Sequence, residues 1–230
     1  MAAQGPRTAS FPCRDSGGAG RLMDRPAIGR PAHAGEHASS LPCWESIHRP
    51  DVPLVVEPGP AAAGPWVQEL LARAPCAWRV SGAADGVASL LQEAPPALRA
   101  RVASLARRFA ALMDAPRVVV RVEGITDNAC TRLHADFVDV RLIVTLAGPG
   151  TEHVGGNDPL APIRQLPAGW VGLFKGHAYP GAGPGCHAPC LHRSPAIAGT
   201  AARRLLLVID RAVEAAPVVP TGAQTEAARA

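Results

Sequence analysis

From Pro116 onward the chain is a series of short apolar runs cut apart by glycine and proline, and this punctuation constrains the fold more than any other feature. Val118 to Val122 is β-branched, Val138 to Leu146 is long and apolar, and Trp170 to Phe174 is bounded by Gly169 and Gly176. Leu205 to Ile209 is a further apolar run. Breaks fall at Gly148-Pro149-Gly150, at Gly155-Gly156 and across 180–185. Runs this short carry no helical period, so each reads as a strand. Strands at this spacing, following helices, predict an antiparallel barrel or sandwich with a helical layer outside it.

The helices lie before Pro116. Trp66, Leu70 and Leu71 fit one face of a short helix, Ala77 to Val80 reads as a strand, and 84–93 reads as a second helix. A third, over 95–114, is the clearest. Pro95 and Pro96 suit its first turn, and Leu98, Val102, Leu105, Phe109 and Leu112 recur three and four residues apart. Residues 41–64 hold five prolines and read as an extended lead-in, while 1–40 and 216–230 read as flexible tails. The expected organisation is one domain over 41–215, with helices at about 65–114 and a barrel at about 116–210.

Composition excludes several classes. At 47% apolar and 18% charged residues the chain of 230 suits a globular protein. It has no uninterrupted apolar run of membrane-spanning length, and its first thirty residues have no apolar signal core. A cytoplasmic location is therefore expected, with no membrane partner. The net charge is +4, yet the basic residues, all arginine except Lys175, are scattered apart from the pairs Arg107-Arg108 and Arg203-Arg204. Nucleic acid is accordingly not the expected partner. Six cysteines at irregular spacing do not make a disulfide scaffold.

The chemistry concentrates in two places. His134 and Asp136 are two apart, so on a strand both point to one face. His192 follows 56 residues after Asp136 in Leu191-His192-Arg193-Ser194-Pro195. Two histidines and one carboxylate on adjacent strands would form a facial metal triad that leaves positions open, which suits non-haem Fe(II). His-x-Asp alone is common by chance, and an isolated histidine on a sheet is more often structural than a ligand. Asp139 and Arg141 have the opposite parity and are expected to pair on the other face. Thr151, Arg193 and Ser194 are candidates to support the site.

The run Leu166-Pro167-Ala168-Gly169-Trp170-Val171-Gly172-Leu173-Phe174-Lys175-Gly176, then His192-Arg193-Ser194, then Arg203-Arg204-Leu205-Leu206-Leu207, resembles the second half of an Fe(II)/2-oxoglutarate dioxygenase. More narrowly, His134-x-Asp136, Arg141-Leu142, Gly148-Pro149-Gly150-Thr151-Glu152, Leu173-Phe174-Lys175-Gly176 and His192-Arg193-Ser194-Pro195 resemble an uncharacterised bacterial family, domain of unknown function 1826. The wider resemblance implies an α+β fold with a double-stranded β-helix core, of jelly-roll or cupin-like type, buttressed by the N-terminal helices. It implies Fe(II) on His134, Asp136 and His192, with 2-oxoglutarate as co-substrate. It further implies a basic residue some dozen positions beyond the distal histidine, here Arg203 or Arg204, forking to the co-substrate carboxylate. Strand alternation lets only one of the pair point inward.

Lys175, retained where every other basic residue is arginine, is a further candidate to bind the co-substrate or substrate anion. Cys186, His187 and Cys190 raise zinc as an alternative metal, since thiolate ligands favour it. Two other functions stay open on the same triad: a non-catalytic metal binder serving zinc or iron homeostasis, and a cupin-like isomerase or hydrolase. The substrate, a small molecule or another class, would be chosen by the irregular loops 152–165 and 177–189.

Overall fold

In the computed structural model the described residues are 43–180 and 189–212. The expected tails at 1–40 and 216–230, together with Cys186 and His187, lie outside them. The strands are β1 (Leu54–Glu57), β2 (Cys76–Ala83), β3 (Arg117–Ile125), β4 (Val140–Ala147), β5 (Glu152–His153), β6 (Arg164–Gln165), β7 (Val171–Lys175), β8 (His192–Arg193) and β9 (Arg204–Arg211). Two α-helices, α1 (Pro65–Ala72) and α2 (Pro96–Leu112), precede most of them. The described chain is thus mostly β with few helices. None of its helices is long and apolar enough to cross a membrane.

Among the described residues the strands form two antiparallel sheets. The larger has the order β1-β7-β4-β9-β3-β2 and the smaller the order β6-β5-β8. Alternation along the large sheet divides its residues between two environments. Val118, Val120 and Val122, then Val140, Leu142 and Val144, then Leu205, Leu207 and Ile209, join the core beneath the helices. Their neighbours Arg121, Arg141, Ile143, Arg204, Leu206 and Val208 line a cavity on the other face, which residues of the β8 segment also line. Because both faces are covered, β9 reads as a continuous apolar run rather than an alternating one.

Helix α2 is the element that closes the first environment. Leu98, Val102, Leu105, Ala106 and Phe109 are buried along one face, as the spacing predicts, and Pro96 occupies its first turn. The predicted helix at 84–93 does not form. Gly86 donates back to Ala83 O, and the Ser89 hydroxyl donates to Gly86 O at 2.7 Å, so a short 3-10 turn at Val87–Leu90 replaces it. Side-chain bonding to the nearby backbone competes with the helix at these residues. The lead-in at 41–64 proves partly ordered, because Pro53 and Pro58 flank β1 rather than interrupt it, and β1 pairs with β7.

Candidate metal centre

His134, Asp136 and His192 come together although Asp136 lies on no strand. The segment after Ile125 leaves the large sheet and touches β8 at one antiparallel bridge, His134 with His192. Each of the two residues donates its backbone N–H to the other's carbonyl, at 3.0 and 2.8 Å. This double bond places both rings on one side of the small sheet, 4.8 Å apart between centroids. Asp136 follows two residues later and completes a group whose donor atoms all lie within 4.8 Å of one another.

The ring orientations are set by the backbone. His134 Nδ1 lies 2.9 Å from Arg132 O, and His192 Nδ1 lies 3.2 Å from Cys190 O. A carbonyl can only accept, so each Nδ1 carries a proton, and in the neutral ring each Nε2 presents a lone pair. Both Nε2 atoms face Asp136, at 3.8 Å from Oδ1 for His134 and 3.1 Å from Oδ2 for His192. Oδ2 is buried and has no hydrogen-bond partner among the described residues. An imidazole nitrogen and a carboxylate oxygen 3.1 Å apart are held together by a proton on Nε2 or by a cation bound to both. The donor set therefore fits a metal ion such as Fe(II) or Zn(II), with imidazole and carboxylate in the facial pattern.

Charge is balanced around the carboxylate. Burial works against the Asp136 charge, but the His192 contact, the Arg141 guanidinium and both rings outweigh it and hold the carboxyl at about 2. The expectation that Asp139 and Arg141 pair on the far face does not hold. Arg141 turns into the cavity, bonding both Asp136 and Asp210, while Asp139 pairs with Arg211. The parity argument fails because 135–139 is irregular, which resets the alternation before β4 begins. Asp210 could have been found from sequence, since it lies six residues beyond Arg204 on one strand and so shares its face.

The two candidate arginines separate cleanly. Arg204 is 1% exposed and lines the same cavity as the triad. Its Nε donates to Pro149 O at 2.7 Å, and Nη2 reaches the hydroxyls of Thr145 and Thr151 at 3.4 and 3.2 Å. Nη1 is buried without a partner among the described residues. Burial pushes the guanidinium down to about 10, still charged at neutral pH. Arg203 points the other way and donates to Leu71 O and Ala72 O at the C-terminal end of α1.

Lys175 is not brought to the site. Phe174 turns inward to stack near His192, with centroids 4.9 Å apart, so alternation sends Lys175 to the helix side. There its Nζ donates to Arg49 O at 2.7 Å and lies 4.5 Å over the Tyr179 ring. Of the thiol cluster, Cys190 is fully buried and packs with Ile143, Leu166 and Phe174. Burial pushes its thiol up to about 12, and its Sγ lies 3.5 Å from Val154 O, outside the His134-Asp136-His192 group. Of the supporting candidates, Thr151 touches Arg204, Arg193 pairs with Glu152 at 2.6 Å, and the Ser194 backbone bonds Cys130 O.

Several solved structures resemble the chain in fold. A rice dioxygenase for auxin oxidation is 13% identical over 70% of this chain and 73% of its own, with a TM-score of 0.46. The Arabidopsis thaliana dioxygenase for auxin oxidation 1, in a 2-oxoglutarate complex, is 12% identical over 59% and 61%, with a TM-score of 0.43. A Pseudomonas putida prolyl-4-hydroxylase is 14% identical over 67% and 99%, with a TM-score of 0.37. No curated protein matches the sequence. The match that does define the chain extends over residues 43–210, nearly all of the described part, and by it the chain belongs to the family described as protein of unknown function (DUF1826).

Proposed function

We propose that this chain is an Fe(II)- and 2-oxoglutarate-dependent oxygenase with a double-stranded β-helix core. The observation that carries the reading is one cavity, about 150 Å³ in volume, shared by the His134-Asp136-His192 group and by the buried, unpaired Nη1 of Arg204. A metal cradle and a spare guanidinium in one small enclosure suit a short acid with a chelating end and a distal carboxylate. The strand orders support the architecture. β3-β9-β4-β7 in one sheet faces the His134 segment, β8, β5 and β6 in the other, an order that a jelly roll requires.

His134, Asp136 and His192 would hold Fe(II), which when bound couples the oxidative decarboxylation of 2-oxoglutarate to the oxidation of a substrate C–H bond. The chain's own residues bind and orient. Arg204 offers Nη1 to the distal carboxylate, and the threonine hydroxyls and Pro149 O keep its plane from turning. Ile143, Leu206 and Val208 form apolar walls that exclude water and strengthen each charged contact. Zinc is the alternative metal for the same donor set, and Cys186 and His187, which raised it, lie outside the described residues.

The test is 2-oxoglutarate binding to the anaerobic Fe(II) protein, followed by its visible metal-to-ligand charge-transfer band. The parent and Arg203→Ala should both develop the band. Arg204→Ala should weaken co-substrate binding by about 1.5–3 kcal/mol, roughly ten- to a hundredfold, because a carboxylate loses its charged partner. A parent that binds Fe(II) but gives no band and no affinity at millimolar co-substrate would leave the non-catalytic metal binder, or the cupin-like isomerase or hydrolase, in place of the oxygenase.

A further inference from the structure

Arg141 reaches into the cavity from β4 and contacts two carboxylates at once. Its Nε and Nη2 donate to the two oxygens of Asp210, at 2.7 and 3.0 Å. Its Nη1 lies 2.5 Å from Asp136 Oδ1. Arg141 and Asp210 are direct register partners on adjacent central strands, so the fork between them is anchored at both backbones. Asp136 belongs to no strand, and among the described residues its backbone is held by one hydrogen bond, from His177 N–H to its carbonyl at 2.8 Å. The two oxygens of Asp136 are thereby made unequal. Oδ1 is occupied by a guanidinium, while Oδ2 is buried, has no hydrogen-bond partner among the described residues and faces His192 Nε2.

We propose that Arg141, clamped by Asp210, is a positioning residue that commits Asp136 to bind the metal through Oδ2 alone. The inference rests on the metal-site reading given above. A carboxylate can hold a metal through one oxygen or through both, and the second mode consumes one more coordination position. A charge-assisted bond from Arg141 withholds Oδ1 from the metal. Single-oxygen binding keeps free the positions that a chelating co-substrate and dioxygen would need. The role calls for arginine. A lysine offers one compact cation and cannot fork to Asp210 while reaching Asp136.

An ion pair that merely braces the fold would behave differently: its loss would lower stability and every ligand affinity together. The test uses the full chain, loaded anaerobically with Co(II) or Fe(II), as the parent, as Arg141→Lys, and as Arg141→Met combined with Asp210→Asn. The double change leaves no unpaired carboxylate at 210, and Arg141→Lys decides the matter if the double variant does not fold. Three quantities are read: metal affinity by calorimetry, the carboxylate binding mode from Co(II) d–d absorption and X-ray absorption fine structure, and 2-oxoglutarate affinity. The expected result is a change from one-oxygen to two-oxygen carboxylate binding. Metal affinity should stay within about threefold of the parent or tighten, while 2-oxoglutarate affinity falls about tenfold or more. An unchanged binding mode with unchanged co-substrate affinity overturns the proposal and leaves the metal site standing. Parallel losses of metal and co-substrate affinity in a folded variant also overturn it, in favour of a bracing ion pair. A parent that binds no metal overturns the site reading itself, and this proposal with it.

Discussion

Adjacent arginines at the start of β9 do opposite things here, and the difference is a matter of which side of the sheet each leaves from. Arg204 enters the cavity that the three candidate ligands line, and Arg203 caps the end of α1. Arg203→Ala should therefore cost about 0.5–1.5 kcal/mol of stability, the net worth of a hydrogen bond at that helix end, with no change in 2-oxoglutarate binding. Denaturant unfolding compared with the co-substrate titration would reveal any exchange of these roles. His134→Ala or Asp136→Ala should abolish stoichiometric Fe(II) binding in anaerobic calorimetry while near-ultraviolet circular dichroism stays native, since neither side chain belongs to the core beneath the helices. Cys190 makes a separate prediction. A thiol raised to about 12 stays protonated in the folded chain at pH 8, whereas an unfolded thiol near 8.5 is already partly ionised. Alkylation at pH 8 followed by mass spectrometry should modify the exposed Cys43 and Cys130 quickly and Cys190 only after unfolding. Because burial raises this acid, its contribution to stability is complete below about pH 8.5 and is lost as pH climbs towards 12. Rapid native labelling of Cys190 would contradict its burial and restore it as a ligand candidate.

Among the elements, α2 and β7 carry the most consequence for the site. Leu98 is fully buried where α2 meets the large sheet, so Leu98→Ala should destabilise by about 2–5 kcal/mol in denaturant unfolding. On β7 the packing is tight on the cavity side. A methyl group at Gly172 would clash with the Phe174 ring and lie 3.0 Å from Leu166 Cδ2, so the ring that packs near His192 must shift to admit it. Gly172→Ala should cost about 1–3 kcal/mol through overpacking and weaken metal binding through the displaced ring. Equal metal affinity in parent and variant would show that Phe174 does not support His192. The helical period of α2 was legible because one side faces the core and the other solvent. The 84–93 segment has a comparable apolar content, yet Gly86 and Ser89 offer the backbone local partners that a helix cannot match.

At the scale of the molecule, the cavity lies between the two sheets beside the apolar contact of Ile143 and Phe174 with Leu166 and Cys190, and whatever fills it should hold the sheets together. A ligand present at about a hundred times its dissociation constant adds roughly 2.7 kcal/mol to stability. For a chain of this length that is a rise of about 5–10 °C in Tm. Mn(II) with 2-oxoglutarate should produce such a rise in the parent by scanning calorimetry, and Asp136→Ala should remove it. An equal rise in that variant would put the ligands elsewhere. The sequence by itself determined helix α2 and the long strands β3, β4, β7 and β9, because apolar period and Gly-Pro punctuation are local properties. It also supplied the three candidate ligands, His134 and Asp136 by their spacing and His192 through the resemblance carried by the segments around it. Only the tertiary structure decided which of Arg203 and Arg204 faces the cavity, that Lys175 faces away, and that Arg141 joins Asp136 to Asp210. On β9 both faces are buried, so apolar alternation vanishes and hydropathy holds no record of direction. Before β4 an irregular stretch resets the parity, and along β7 a single inward ring fixes the outward turn of its neighbour. Which side of a strand is the inside is a relation between elements distant in sequence, and it exists only once the two sheets have closed on each other.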